Sequence, residues 1–233
     1  MTTFKERQAV IEDRIAAACR RAGRARGDVR LMAVSKTHPA SAIRQAAAAG
    51  QMLFGENRVQ EFDAKRAELP EGIEVHLIGH LQSNKAAKAA GIFSSIDTVD
   101  SLRLLERVND AAKLSTQPLP VLLEIKLSEE EAKTGFSPAS SELRQALERT
   151  SGLQHVRVRG LMTVAPLNEN PETARGCFRQ LRNLRDELMR MHPRIDLQEL
   201  SMGMSGDFEI AIEEGSTLVR IGTALFGARE AQR

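Results

Sequence analysis

The chain has no tryptophan, no tyrosine and only two cysteines among its 233 residues. Each absence removes something. Without tyrosine there is no phenolic acid or base for proton transfer. Cys19 and Cys177 lie far apart in sequence and form no metal-type cluster, so free thiols in a reduced, cytosolic setting are expected. No apolar run reaches membrane-spanning length. The opening MTTFKERQAV is charged by Lys5 and does not read as a secretory leader. Neither sign of charge dominates: Lys+Arg 33 against Asp+Glu 31 leaves +2, which argues for neither nucleic acid nor a membrane surface.

What is present is ordinary for a globular protein, with 42% apolar and 27% charged residues. Residues 4 to 25 read as a helix with Val10, Ile11, Ile15, Ala18, Cys19 and Ala22 on its apolar stripe. After it, apolar branched runs alternate with Ala/Leu-rich charged stretches. The strand candidates are residues 29–36, 51–56, 74–79, 93–99, 120–127, 158–164, 197–203 and 217–224. Gly50, Gly91, Gly152 and Gly215 stand where helix C-caps are expected. Eight strands alternating with helices in under ~250 residues is the count of a (β/α)8 barrel. A doubly wound sheet would ordinarily carry a glycine-rich turn after its first strand, and here that strand ends in SKTHP.

In such a barrel the working end is formed by the C-terminal ends of the strands. The residues there are Ser35-Lys36, Gly55-Glu56-Asn57-Arg58, Gly79-His80, Met162-Thr163, the turn SMGMSGD from Ser201 to Asp207, and Arg220-Ile221-Gly222-Thr223. The small-residue turn and Gly222-Thr223 follow strands 7 and 8, the usual phosphate position in a barrel. On alternation Arg220 shares a face with Leu218 and Gly222, and a guanidinium buried there needs a partner, either a structural carboxylate or a ligand acceptor. Lys36 shares a face with Met32 and Val34. A desolvated, neutral lysine amine can attack a carbonyl. An amine nucleophile and an anion cradle at one mouth suit an aldehyde that carries a phosphate, and pyridoxal 5′-phosphate (PLP) fits that description.

Other features carry less. His76 and His80 are spaced HxxxH, but four residues of strand span about 13 Å, too far for one zinc ion. Arg20, Arg21, Arg24, Arg26 and Arg30 read as a solvated helix end and loop. Cys177 beside Phe178 reads as packing, and His38 sits in the turn after Lys36.

Taken together, AVSKTHPA, FGENRVQEF, HLIGHLQSNK, GLMTVAP, LSMGMSGDFEIAI and GSTLVRIGTALFG resemble the pyridoxal phosphate homeostasis protein family over about residues 5 to 230. The resemblance implies one barrel of the alanine-racemase N-terminal type over residues 1–233, with the helix over 4–25 preceding strand 1. It implies that Lys36 holds PLP as a Schiff base, and that Ser201 with its turn (Met202, Gly203, Ser205) and Gly222 and Thr223 hold the phosphate. Arg220 would face the pyridine nitrogen and Asn57 would lie near the ring. The segment EEAKTGF (130–136) also resembles a family segment, to which no role is assigned.

Two functions then compete. Arginine stays protonated, so at the pyridine nitrogen it opposes ring protonation and weakens the electron sink that PLP enzymes use. A racemase needs a second acid or base on the opposite face of its substrate; racemases with this barrel resemble a two-domain arrangement in which a tyrosine serves, and this chain has none. A cytoplasmic, monomeric PLP carrier with little or no turnover is expected, its recipients apo PLP enzymes. The rival is a racemase-like or transaminase-like enzyme using His80, Lys85 or a water. A third class is a scaffold barrel with no cofactor.

Overall fold

The computed structural model describes residues 2–128, 134–166 and 170–227. Helix α1 (Phe4–Arg21) leads into β1 (Arg30–Val34), α2 (Ala40–Ala48), β2 (Leu53–Glu56), α3 (Val59–Lys65), β3 (Glu74–Leu77), α4 (Ala86–Ile92), β4 (Ser95–Val99) and α5 (Leu102–Ala111). The second half runs β5 (Leu119–Glu124), α6 (Ser141–Arg149), β6 (Val156–Met162), α7 (Pro171–Met191), β7 (Glu199–Ser201), α8 (Phe208–Glu213), β8 (Leu218–Ile221) and α9 (Thr223–Phe226). The strands close into a parallel eight-stranded barrel in sequence order, with β8 pairing back onto β1.

Alternation along each strand sorts two cores. Leu31, Ala33, Phe54, Leu77, Val121, Leu123, Leu161, Val219 and Ile221 face outward into the layer shared with the helices. Met32, Leu53 and Leu218 fill the barrel interior, with Ile78 against them. Helix starts are fixed locally. Thr3 and Glu6 form a reciprocal capping box on α1; Ser101, Ser140 and Asn170 cap α5, α6 and α7. Each such cap is worth about 1 kcal/mol.

All eight expected strands form, but most end earlier than their apolar runs do. β1 stops at Val34, so Lys36 stands in the following turn rather than on the strand. β8 stops at Ile221 because α9 begins at Thr223. α1 ends at Arg21 rather than 25, and Val10 is 58% exposed, off the buried stripe. Gly50 and Gly215 follow helix ends with positive φ, as a C-cap glycine does. Gly91 instead lies inside α4 and Gly152 closes a tight 3-10 turn, neither in the left-handed region.

Candidate functional site

β1 and β8 are neighbours, with Met32 paired to Arg220. Their C-terminal ends therefore bring the Lys36 turn beside Gly222, whose Cα faces Val34. Lys36 is half-buried. Arg220 is buried inside the barrel; one guanidinium nitrogen donates to Ser201 Oγ at 2.7 Å and the other to the Thr163 carbonyl at 2.8 Å. Burial pulls the Arg220 pKa down, while the charges of Asp97, Asp207 and Glu124 pull it up. Among the described residues its direct partners are thus a hydroxyl and a carbonyl, and the carboxylates act through space.

Ser201 ends β7 and points inward to Arg220. Met202 points the other way, into the outer core. Its N–H is spent on the Leu218 carbonyl and its own carbonyl accepts from Ser216 Oγ. Alternation sends the Met202 side chain outward and the barrel ladder takes its N–H, so neither is turned toward the expected anion position. Gly203 turns the chain with φ +97, and a Cβ there would lie 2.6 Å from the Ala211 Cβ. The turn is closed by the Met204 N–H donating to Asp207 Oδ1 at 2.6 Å. Burial raises the Asp207 pKa, against the Met204 N–H and Arg220. Ser205 is half-buried beside exposed Gly206. Gly222 and exposed Thr223 stand at the start of α9, where helical geometry leaves N–H groups without intrahelical acceptors.

Asn57 follows β2, half-buried. Its backbone lies so close to the end of β3 that a Cβ at Gly79 would sit 2.3 Å from the Asn57 carbonyl oxygen. Only glycine permits that approach.

Behind Lys36, on the outer side of the sheet, is a buried ion-pair cluster. Lys65 Nζ of α3 lies 2.8 Å from Glu56 Oε1 and 3.3 Å from Glu61 Oε1. It also donates to the carbonyls of His38 (2.9 Å) and Ser35 (3.3 Å). Ser35 Oγ donates to Glu56 Oε1, and Thr37 N–H donates to Glu61 Oε1. Burial raises the Glu56 pKa, although Lys65 and Ser35 draw it down; its Oε2 is buried with no hydrogen-bond partner among the described residues. Thr37 has φ +67, a strained geometry for a β-branched residue that costs on the order of 1–3 kcal/mol.

Across the mouth, on the β3, β5 and β6 side, lies a cavity of about 430 Å³ lined by His80, Glu124, Ile125, Lys126, Leu127, Thr134 and Val164. Burial, reinforced by Asp100, lifts the Glu124 pKa to about 7, against the Thr134 hydroxyl and Arg220. His80 pairs with Asp100 at 3.1 Å. Residues 134–136 fold back beside β5: Phe136 is buried, and its N–H donates to the Glu124 carbonyl at 2.8 Å. The earlier part of EEAKTGF, through Lys133, lies outside the described residues.

The remaining sequence candidates separate. His76 is buried deep in the barrel, 3.0 Å from Asp97. Burial opposes its charged form, yet Asp97 outweighs this and raises its pKa. His76 and His80 thus serve different carboxylates at different depths. At the end of α1 and in the loop after it, Arg20, Arg21 and Arg30 are exposed as expected, while Arg24 and Arg26 are half-buried; Arg21 pairs with Glu213, Arg26 with Glu12 and Arg30 with Glu74, and Arg24 donates to the Ile212 carbonyl. Cys19 and Cys177 are both buried in the outer core. The sequence pattern sets Glu56 at the barrel mouth without a role, and Glu61, Lys65 and Glu124 are not among the candidates it offers. Glu56 and Glu124 each end an apolar strand, and Glu61 and Lys65 stand at i,i+4, so both signals were there.

The alanine racemase N-terminal domain family matches residues 10–230. A protein of Aquifex aeolicus, named pyridoxal phosphate homeostasis protein, is 44% identical over 226 residues, covering 97% of this chain and 98% of that one. The solved structure of PipY from Synechococcus elongatus, with PLP bound, superposes with a TM-score of 0.82 at 45% identity, covering 93% of this chain and 100% of PipY. An alanine racemase of Clostridium difficile shares the fold at 15% identity and a TM-score of 0.68; the alignment covers 94% of this chain but 56% of the racemase.

Proposed function

This chain belongs to the pyridoxal phosphate homeostasis protein family, and on that premise we propose that it binds PLP on Lys36 and buffers or delivers it, with little or no catalysis. The observation that carries the reading is the pairing of β1 with β8, which sets the end of β1, just before the Lys36 turn, against Gly222 and the start of α9, with Arg220 lower on β8 opposite Met32. The donor set fits the group: an amine for an aldehyde, a guanidinium beside a ring nitrogen, and N–H and hydroxyl donors for a phosphate. When bound, PLP supplies a reactive aldehyde, which a carrier keeps from free amines.

The placements support the following roles. Lys36 is the amine that meets the aldehyde. Gly203, Ser205, Gly222 and Thr223 bind the phosphate through backbone N–H groups and hydroxyls. Ser201 acts one step back, by holding Arg220. Arg220, always protonated, faces the ring nitrogen and opposes its protonation, and Asn57 lies beside the ring. The absence of tyrosine leaves no phenolic second acid of the kind a racemase on this barrel would use. We assign residues 1–233 to one functional unit, a cytoplasmic monomer whose recipients are apo PLP enzymes. Among the described residues no helix is long and apolar enough to cross a membrane.

The test is a visible absorption spectrum of pure protein with and without PLP, then borohydride reduction and peptide mapping. A band that reduction fixes as a label on Lys36, and that Lys36→Ala abolishes, is expected. No band, or a label on another lysine, overturns the assignment. Steady racemisation of an amino acid by pure protein, lost in Lys36→Ala, would instead establish the enzyme.

A further inference from the structure

Lys36 belongs to a four-residue turn. The His38 N–H donates to the Ser35 carbonyl at 3.1 Å, closing residues 35–38. Lys36 is second and Thr37 third, and Thr37 takes φ +67, a value that turns of this kind ordinarily give to glycine. A β-branched residue stays there only if its surroundings hold it.

The surroundings do so chiefly from α3 and the end of β2, and the His38 ring also stacks on Phe226 of α9. Glu61 accepts the Thr37 N–H at 2.5 Å. Lys65 binds the carbonyls on either side, those of Ser35 and His38. Lys65 is itself fixed between Glu56 and Glu61, and Glu56 is also bound by Ser35 Oγ. Four of these hydrogen bonds reach Ser35, Thr37 or His38, all within two positions of Lys36, and the two ion pairs hold the groups that make them. Ser35 lies on the outer face with Ala33, while the inner face of β1 carries Met32 and then Val34 toward Lys36. Stability alone gives little reason for this design, because a buried ion pair is commonly no better than well-packed apolar residues. Here the desolvated charges and the strained residue are concentrated behind one lysine.

We propose that the Glu56–Lys65–Glu61 cluster is a positioning device, which holds the Ser35–His38 turn in its strained form and so fixes where the Lys36 amine stands. The proposal rests on the reading of Lys36 as the residue that takes the PLP aldehyde. Glu56, Glu61, Lys65 and Thr37 are positioning residues in it.

The test uses the full-length protein with Thr37→Gly and Glu61→Gln, both of which keep the Lys65–Glu56 pair. Lys65→Arg is the conservative control. Three quantities are read: unfolding stability, the Kd for PLP from visible absorption, and the pH profile of trace acetylation of Lys36 without PLP. Thr37→Gly is expected to be at least as stable as the parent, since it relieves the positive φ, yet to bind PLP about tenfold more weakly, ~1.4 kcal/mol. A turn with a merely structural role would move both the same way. Glu61→Gln is expected to weaken binding by a similar factor, and both variants should shift the acetylation profile of Lys36. Lys65→Arg should retain most of the parent's affinity. Unchanged profiles, or Kd values within about twofold of the parent in both variants, overturn the proposal. If the parent's reduced label falls on another lysine, the Lys36 reading fails, and the acetylation profile without PLP still decides the positioning role.

Discussion

Two buried cations flank the barrel mouth, and they are satisfied in opposite ways. Lys65, on the outer face, meets two carboxylates and two carbonyls directly. Arg220, on the inner face, meets one hydroxyl and one carbonyl, with its three carboxylates acting only through space. A cation closed within its own ion pairs is part of the scaffold. One held by neutral acceptors, its charge offset only through space, suits the ligand-facing role proposed for Arg220. The difference separates structural from ligand-facing charge by partner chemistry, where burial does not distinguish them.

The comparison is broken most severely at Lys65. Lys65→Met leaves Glu56 fully buried beside an apolar side chain, and removing one partner of a buried pair costs about 3–5 kcal/mol. Protonation of Glu56, whose pKa burial already raises, recovers part of this at low pH. Urea unfolding should therefore show a large loss at pH 8 and a smaller one at pH 5. A loss below about 1 kcal/mol at both values would mean that the cluster contributes little to the fold.

Arg220→Met should behave in the opposite sense. Its direct partners are neutral, so stability should fall by only about 1–2 kcal/mol. PLP affinity should fall about 100-fold, near 2.7 kcal/mol. A titration followed by visible absorption checks it. A variant that unfolds but, where folded, binds PLP normally would make Arg220 scaffold after all.

The barrel itself was legible in the sequence, because burying one face of a strand and one stripe of a helix imposes periods that can be read without partners. The strand ends were not. Residues such as Lys36 and Gly222 continue the apolar period of their strands, and only the hydrogen bonds of the turns that follow show where pairing stops. Charges inside apolar runs marked Lys36 and Arg220, and the same mark stood on Glu56 in LFGE and Glu124 in PVLLE. What the alphabet does not carry is the face. Glu56 shares its parity with Phe54 and goes outward to α3, whereas Arg220 shares its parity with Leu218 and goes inward. The strained φ of Thr37 was invisible for a related reason: nothing in SKTHP favours the left-handed region, and the bonds that hold it come from α3.

The mildest expected effect is on pH dependence, and it ties Arg220 to the opposite side of the mouth. Glu124 has its folded pKa raised from 4.5 to about 7, so the folded state holds the proton more tightly than the unfolded chain. Its favourable contribution is complete below the unfolded pKa and is lost as pH rises through the folded one. Stability therefore declines between about pH 4.5 and 7 on this account and is level above. Glu124→Gln removes that slope. The variant's stability relative to the parent should grow across this window and plateau above it, by about 1–2 kcal/mol after allowance for the side chain's partial exposure. Arg220 draws the Glu124 pKa down. In Arg220→Met the upper edge of the window should therefore move to higher pH, and this is what denaturant melts at pH 5, 7 and 8.5 would measure. If the edge stays in place, the guanidinium and the carboxyl across the mouth do not sense each other, and the two sides of the site act independently.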